Sequence, residues 1–297
     1  MPSFDYGAES GIASGDGPKR KLRKLHSVNM IDGAAGQLPR ISAIACNALT
    51  WSLAGQKFTA ADRYEASFQV SHLSHMLLVL RLLGNMDAGL SSTAGATAAL
   101  KGGRMIMLSS EMHDLERGLP LLYKLRAKIK PDQIYHLIHP PSDKPEETYD
   151  RGVQQYATAK LANVAFMWDL NRRLQQDPKL SAITVTCMDP GGLVESRAHS
   201  EQKPTVRLAM GVVNVLMPVL RHLTSTIRTN NDAGRDLVAL SVGPEFQGKR
   251  GFIVGQNEAV SAKLNRDEAV QRKLWDACLS WAGISTAGTV LAIAEAE

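Results

Sequence analysis

Aromatic residues are scarce: six phenylalanines, six tyrosines and four tryptophans make up 5% of the 297 residues. A single-strand nucleic-acid groove needs stacking rings interleaved with cations, so no nucleic-acid partner is expected despite a formal net charge of +5. The one dense basic cluster, Lys19, Arg20, Lys21, Arg23 and Lys24, contains no aromatic residue. It reads as a solvated tail or helix start, with a targeting signal or a contact to a cofactor phosphate as the other readings. Cysteines number three, Cys46, Cys187 and Cys278, an odd count that excludes a fully paired disulfide framework. Two of them sit in predicted strands, which fits small core hydrophobes in a reduced, cytoplasmic compartment. Long apolar runs are missing as well. The most apolar stretch, Val206 to Leu220, is broken by Arg207, Asn214 and Pro218, whereas a span needs about 20 uninterrupted residues, so no transmembrane span is expected. A helical lid over an apolar pocket is the favoured reading of that stretch, and an interfacial membrane contact is the other. No signal peptide is visible, because the N-terminus is polar and acidic before its basic run. His72 and His75, three apart, lack a third ligand nearby; packed, hydrogen-bonded histidines are expected and no metal.

What is present is a proton-transfer pair. Tyr156 and Lys160 lie one helical turn apart in the run Gln154-Gln155-Tyr156-Ala157-Thr158-Ala159-Lys160-Leu161-Ala162-Asn163. A free tyrosine titrates near 10, and bringing it to about 7 takes roughly 4 kcal/mol of preferential stabilisation of the phenolate. A lysine at i+4 on the same face supplies part of that. The helix is supported by apolar spacing through Leu161, Val164, Ala165, Trp168 and Leu170, and Pro178 stops it. Upstream, Gly103 to Ser110 reads as a short buried strand ending in hydroxyls. Downstream, Ala182 to Gly192 reads as a β-branched strand broken by Pro190-Gly191. In an open α/β sheet the ligand crevice lies at the carboxyl ends of the strands, so Ser110, the Tyr-Lys helix and the Pro190 turn converge there.

This order, strand-Ser, Tyr-x-x-x-Lys helix, strand-Pro-Gly, resembles the short-chain dehydrogenase/reductase family from about Ser27 to Ile284. Ile41 to Ala48 looks like the family's strand ending in Asn-Ala-Gly, with Leu49 where glycine is usual. Phe68 to His75 looks like the Asn-His-Leu-Gly-His helix of the retinol-dehydrogenase-like branch, with Ser71 in place of the asparagine. The segments Pro190 to His222 and Trp275 to Trp281 are similar to reductases of fungal secondary-metabolite clusters.

The resemblance implies a Rossmann-like, doubly wound parallel sheet with a helical substrate lid. It implies an NAD(P)-dependent oxidoreductase interconverting a carbonyl and an alcohol on a hydrophobic small molecule, in the setting of polyketide or other secondary metabolism. Tyr156 would be the general acid, Lys160 its activator and the contact to the nicotinamide ribose, and Ser110 the hydrogen-bond partner of the substrate oxygen. Asn47 would line the adenosine side of the cofactor, and Val194 and Ser196 would meet the carboxamide. NADP is preferred to NAD because carbonyl reduction is the commoner task in this branch.

The family's opening strand and glycine-rich turn are not found in context. Gly11, Gly15 and Gly17 have suitable spacing, but Met1 to Ser10 carries Asp5 and Glu9, and Pro18-Lys19-Arg20-Lys21 follows instead of an apolar helix. Three strands and two or three helices normally precede the Asn47 strand, needing about 80 residues at ordinary element and loop lengths, and about 40 are available. The sheet is therefore expected to be incomplete on its N-terminal side. Either the start is truncated, or the bare strand edge pairs with a second copy of the chain or another partner. The alternative function is a catalytically impaired relic acting as a binding or scaffold protein. By segment, residues 1–26 are expected as a disordered basic tail or truncated start and 27–284 as the reductase-like domain. Within that domain 111–155 is a long loop and 195–230 the lid; 285–297 is a disordered tail.

Overall fold

The computed structural model describes residues 40–86, 102–114, 132–193, 201–223 and 227–292. Five strands form one sheet in the order β1 (Ala43–Cys46), β2 (Arg104–Leu108), β3 (Thr184–Asp189), β6 (Gly251–Val254) and β7 (Asn257–Glu258). The first four run parallel and β7 is antiparallel to β6. Every residue of β2 and β3 is buried, as parallel strands covered on both faces require. β4 (Gly192–Leu193) and β5 (Ile227–Arg228) pair separately. Among the described residues β1 is an edge of the sheet.

Helices cover both faces. On one lie α1 (Ala66–Phe68), a π-helical turn Gln69–Leu73, α2 (Ser74–Leu82), the 29-residue α3 (Thr148–Gln176) and α6 (Glu268–Ala282). Their apolar side chains form the main core with the sheet, including Phe68, Leu80, Met105, Val164, Phe166, Val185 and Trp275. On the other face α5 (Asn230–Val242) packs Leu240 against Ile106, Leu108, Met188 and Ile253. α4 (Pro204–Leu223) precedes it. Each helix start has its chemical cause where a cap is present: Glu65 accepts from the Ser67 and Phe68 amides, Thr229 and Asp232 form a capping box, and Asp267 accepts from Ala269 and Val270.

Two segment expectations are corrected. α3 begins at Thr148, inside the stretch expected as loop to residue 155. Acids at Glu147 and Asp150 favour the helix N-terminus, and Gly152 lets this first turn lie against the Ser52 carbonyl, to which a Cβ would come within 2.2 Å. The C-terminal stretch is not a tail from Ser285: Thr286–Gly288 forms a 3₁₀ turn and Leu291 is buried in the main core. Pro204–Leu223, within the stretch expected as a lid, is helical, and among the described residues Glu201 before it and Asn230 after it border the cleft. The Gly11–Gly17 run, the Lys19–Lys24 cluster and residues 1–26 lie outside the described residues.

Candidate active site

A cleft of about 800 Å³ opens at the carboxyl ends of β1, β2 and β3, where strand order leaves a crevice in open α/β sheets. Asn47, Ser110, Tyr156 and Lys160 all line it, together with Trp51, Asp189 and the Pro190-Gly191 turn. Val194 and Ser196 lie outside the described residues. Ser110 follows β2 and caps the 3₁₀ turn Glu111–His113, its Oγ accepting from the Met112 amide at 3.4 Å. The Ser110 side chain also faces the Tyr156 phenol. Gly191, at φ 81°, turns the chain away after Pro190, and its amide donates to Asp189 Oδ1 at 2.9 Å.

Lys160 is fully buried behind this pair. Its Nζ donates to the Leu108 carbonyl at 2.9 Å and sits 5.5 Å from the Tyr156 ring centroid. Burial pulls its pKa down to about 8. Tyr156 moves the other way: burial first and the Asp189 carboxylate second push the phenol well above its ordinary range, with the Ser110 hydrogen bond opposing them. The sequence points to Lys160 as what sets the phenol; the tertiary structure adds Asp189, which ends β3 and faces both groups. A phenol held up in this way is protonated at neutral pH, the form able to give a proton to an oxygen gaining negative charge.

Two further groups shape the site without an individual sequence signal. Trp51 packs on Tyr156 with ring centroids 5.0 Å apart at 58°. Asn163, one turn beyond Lys160, donates through Nδ2 to the Leu108 carbonyl and to the Ser71 carbonyl, both at 3.0 Å. Ser71 lies in the π-helical turn. Such turns concentrate at functional sites. His72 Nδ1 donates to Asn163 Oδ1 at 2.9 Å and its Nε2 faces Cys278 Sγ at 3.5 Å. These buried groups are satisfied by one another, a chain that orients Asn163 and through the shared carbonyl fixes Lys160. Of this chain the sequence points to His72 as a packed, hydrogen-bonded histidine and to Asn163 at i+3 from Lys160 on one helix face; the links between them come from the fold.

Among the described residues the cleft offers groups suited to the reacting half of a nicotinamide dinucleotide and none suited to its phosphates. Two hydroxyls and an ammonium converge at one end, while the remaining charged lining residues are Glu111, Asp189 and Glu201. Among the described residues no glycine-rich strand-turn-helix unit offers amides to a pyrophosphate. A separate cavity of about 490 Å³ lies away from Tyr156 and Lys160, between the loop residues Gln133, His136, Pro140 and Pro141 and the α3 side chains Arg151, Gln154 and Thr158.

The short-chain dehydrogenase iccH of Talaromyces variabilis is 27% identical over 308 aligned positions, covering 94% of this chain and 80% of that protein. The chain belongs with the short-chain dehydrogenases/reductases. Human retinol dehydrogenase 14 is 27% identical over 245 positions, 80% of this chain and 57% of that protein, so the chain spans less than two thirds of that relative. A family model of the AcuH dehydrogenase domain matches residues 202–291. The dehydrogenase acuH of Aspergillus aculeatus is 36% identical over 74 positions, 25% of this chain and 76% of that protein. Membership in this oxidoreductase family gives the Ser110, Tyr156 and Lys160 convergence its context. Among the described residues no helix is long and apolar enough to cross a membrane.

Proposed function

We propose that this short-chain dehydrogenase/reductase reduces a carbonyl on a hydrophobic small molecule to the alcohol, with NADP preferred to NAD and polyketide-like metabolites as the substrate class. The observation that carries the reading is the convergence of Ser110, at the end of β2, and Tyr156, on α3, in one cleft, backed by buried Lys160. The dinucleotide supplies the hydride when bound. The chain's residues handle the oxygen: Ser110 Oγ donates to it as charge develops, and Tyr156 Oη gives it the proton. Lys160 would meet the nicotinamide ribose, Asn47 the adenosine side, and Val194 and Ser196 the carboxamide.

The test is NADPH oxidation by the purified chain with a panel of aromatic and polycyclic ketones. Tyr156→Phe is expected to lower turnover at least about 100-fold, the usual worth of a positioned acid. Wild-type rates in both Tyr156→Phe and Lys160→Met would overturn the assignment of the site.

One observation favours a second reading, a reductase relic that binds without turnover. Glu111, Asp189 and Glu201 border a cleft whose one lining cation among the described residues is Lys160, and that is unfavourable for a pyrophosphate. Titration calorimetry with NADPH separates the two. A dissociation constant at or below about 1 μM, some −8 kcal/mol, supports the reductase, and no measurable binding supports the relic.

A further inference from the structure

α4 carries apolar side chains on two opposite faces. Val206, Met210, Val213 and Met217 form the inner face, with Met217 buried. Leu208, Val212, Val215 and Leu216 form the outer one, exposed to 72%, 52%, 78% and 48%. These four follow the i, i+4, i+7, i+8 spacing of a single helical stripe. The helix is also unusual in charge. From 202 to 231 the chain has no aspartate or glutamate, while it holds Lys203, Arg207 and Arg221 besides Arg228, whose guanidinium pairs with Asp236. Arg207 and Asn214 share one flank of the exposed stripe, and Arg207 is itself exposed. The helix start is tethered to the domain: Tyr149 Oη donates to Gln202 Oε1 at 2.6 Å, and Lys203 lies 4.2 Å over the Tyr149 ring.

We infer that the outer face of α4 is a membrane-docking surface that lies in the interface of an anionic bilayer. An apolar stripe flanked by an exposed arginine, Arg207, on a segment without acids is the pattern that binds such surfaces by inserting shallowly among headgroups. A second copy of the chain fits less well. Two-fold pairing of this face would bring two acid-free basic segments together with no carboxylate to match them, and one stripe of four side chains falls short of the roughly 800 Å² per partner of a stable interface. Closure over the chain's own cleft would use the inner face, which leaves the outer stripe unexplained. Because Glu201 and Asn230, on either side of α4, border the cleft, docking here would set the cleft mouth beside the bilayer. The inference stands apart from the assignment of the catalytic groups.

The test is co-sedimentation of the full chain with vesicles of phosphatidylcholine mixed with phosphatidylserine, against vesicles of phosphatidylcholine alone. The chain is expected to sediment with the mixed vesicles and to be released as salt rises. The double variant Leu208→Glu and Val215→Glu should bind at least about tenfold more weakly, given the burial of two aliphatic side chains, with an unchanged melting temperature because both positions are exposed. Val215→Leu should bind like the wild type. Failure of the wild type to sediment, equal sedimentation with neutral vesicles, or undiminished binding by the double variant would overturn the inference. So would a wild-type dimer in solution that the double variant converts to monomer, which would make the stripe a self-association face.

Discussion

Trp51 lies against Tyr156, ring centroids 5.0 Å apart and planes at 58°, so the loop after β1 forms the wall of the cleft beside the candidate acid. Tilted aromatic pairs contribute about 0.5–1.5 kcal/mol beyond their burial. Trp51→Ala should therefore lower kcat/KM for a reduced carbonyl by up to about tenfold, and Trp51→Phe should restore most of it. Steady-state kinetics of both variants checks this, and equal activity of Trp51→Ala and wild type would show that the pair has no part in positioning the phenol.

The same loop depends on Gly152. A Cβ there would meet the Ser52 carbonyl oxygen at 2.2 Å and the Leu53 Cα at 3.2 Å, and both are backbone atoms that cannot swing away. Gly152→Ala should destabilise the fold by about 1–3 kcal/mol, the usual range for overpacking, and loosen the contact of Trp51 with Tyr156. Chemical denaturation gives the first effect; Trp fluorescence of the native state gives the second.

Lys160 makes a prediction with a definite sign. Its folded pKa is about 8, below the ordinary lysine value near 10.4, so the unfolded chain binds more protons between those pH values and stability rises with pH across that window. Below pH 8 the buried ammonium is a full liability. Lys160→Met should raise the melting temperature at pH 7, and the advantage should shrink as pH climbs toward 10. Asn163 Nδ2 still reaches the Leu108 carbonyl in that variant, so no buried acceptor is orphaned. A lower melting temperature at pH 7 would show that the ammonium is net stabilising where it sits.

His72 should govern part of the acid limb. Burial among Phe68, Phe166 and Cys278 lowers its pKa to about 4, against about 6.5 unfolded. Its contribution is present above pH 6.5 and is lost as pH falls from there toward 4, because only the unfolded state takes up the proton. His72→Gln should flatten the fall of melting temperature over that range, as measured by calorimetry at several pH values. An unaltered slope would assign the acid sensitivity to other groups such as His75, whose pKa burial also lowers.

The sequence by itself determined the elements that local pattern controls. Tyr156 and Lys160 share a helix face because 3.6 residues per turn puts i and i+4 together. β2 is legible as a strand because a parallel strand buried on both faces is apolar at nearly every position, β3 because of its β-branched run, and the Pro190-Gly191 break marks where β3 must end. Ser110, Asn47 and the Tyr-Lys pair were nameable because each lies at the end of a strand or on the helix beside it. What only the tertiary structure decided are relations between distant segments. Trp51 carries no periodic signal of its own and reaches Tyr156 because Gly152 lets the loop approach α3. Asp189 reads as one more residue in a strand until the fold faces it toward both Tyr156 and Lys160. Asn163 acquires its role when β2 brings the Leu108 carbonyl within 3.0 Å of its amide and 2.9 Å of Lys160. Burial is likewise a property of the whole fold, and it moves the tyrosine up and the lysine down, opposite to what their i, i+4 spacing alone suggests for the phenol.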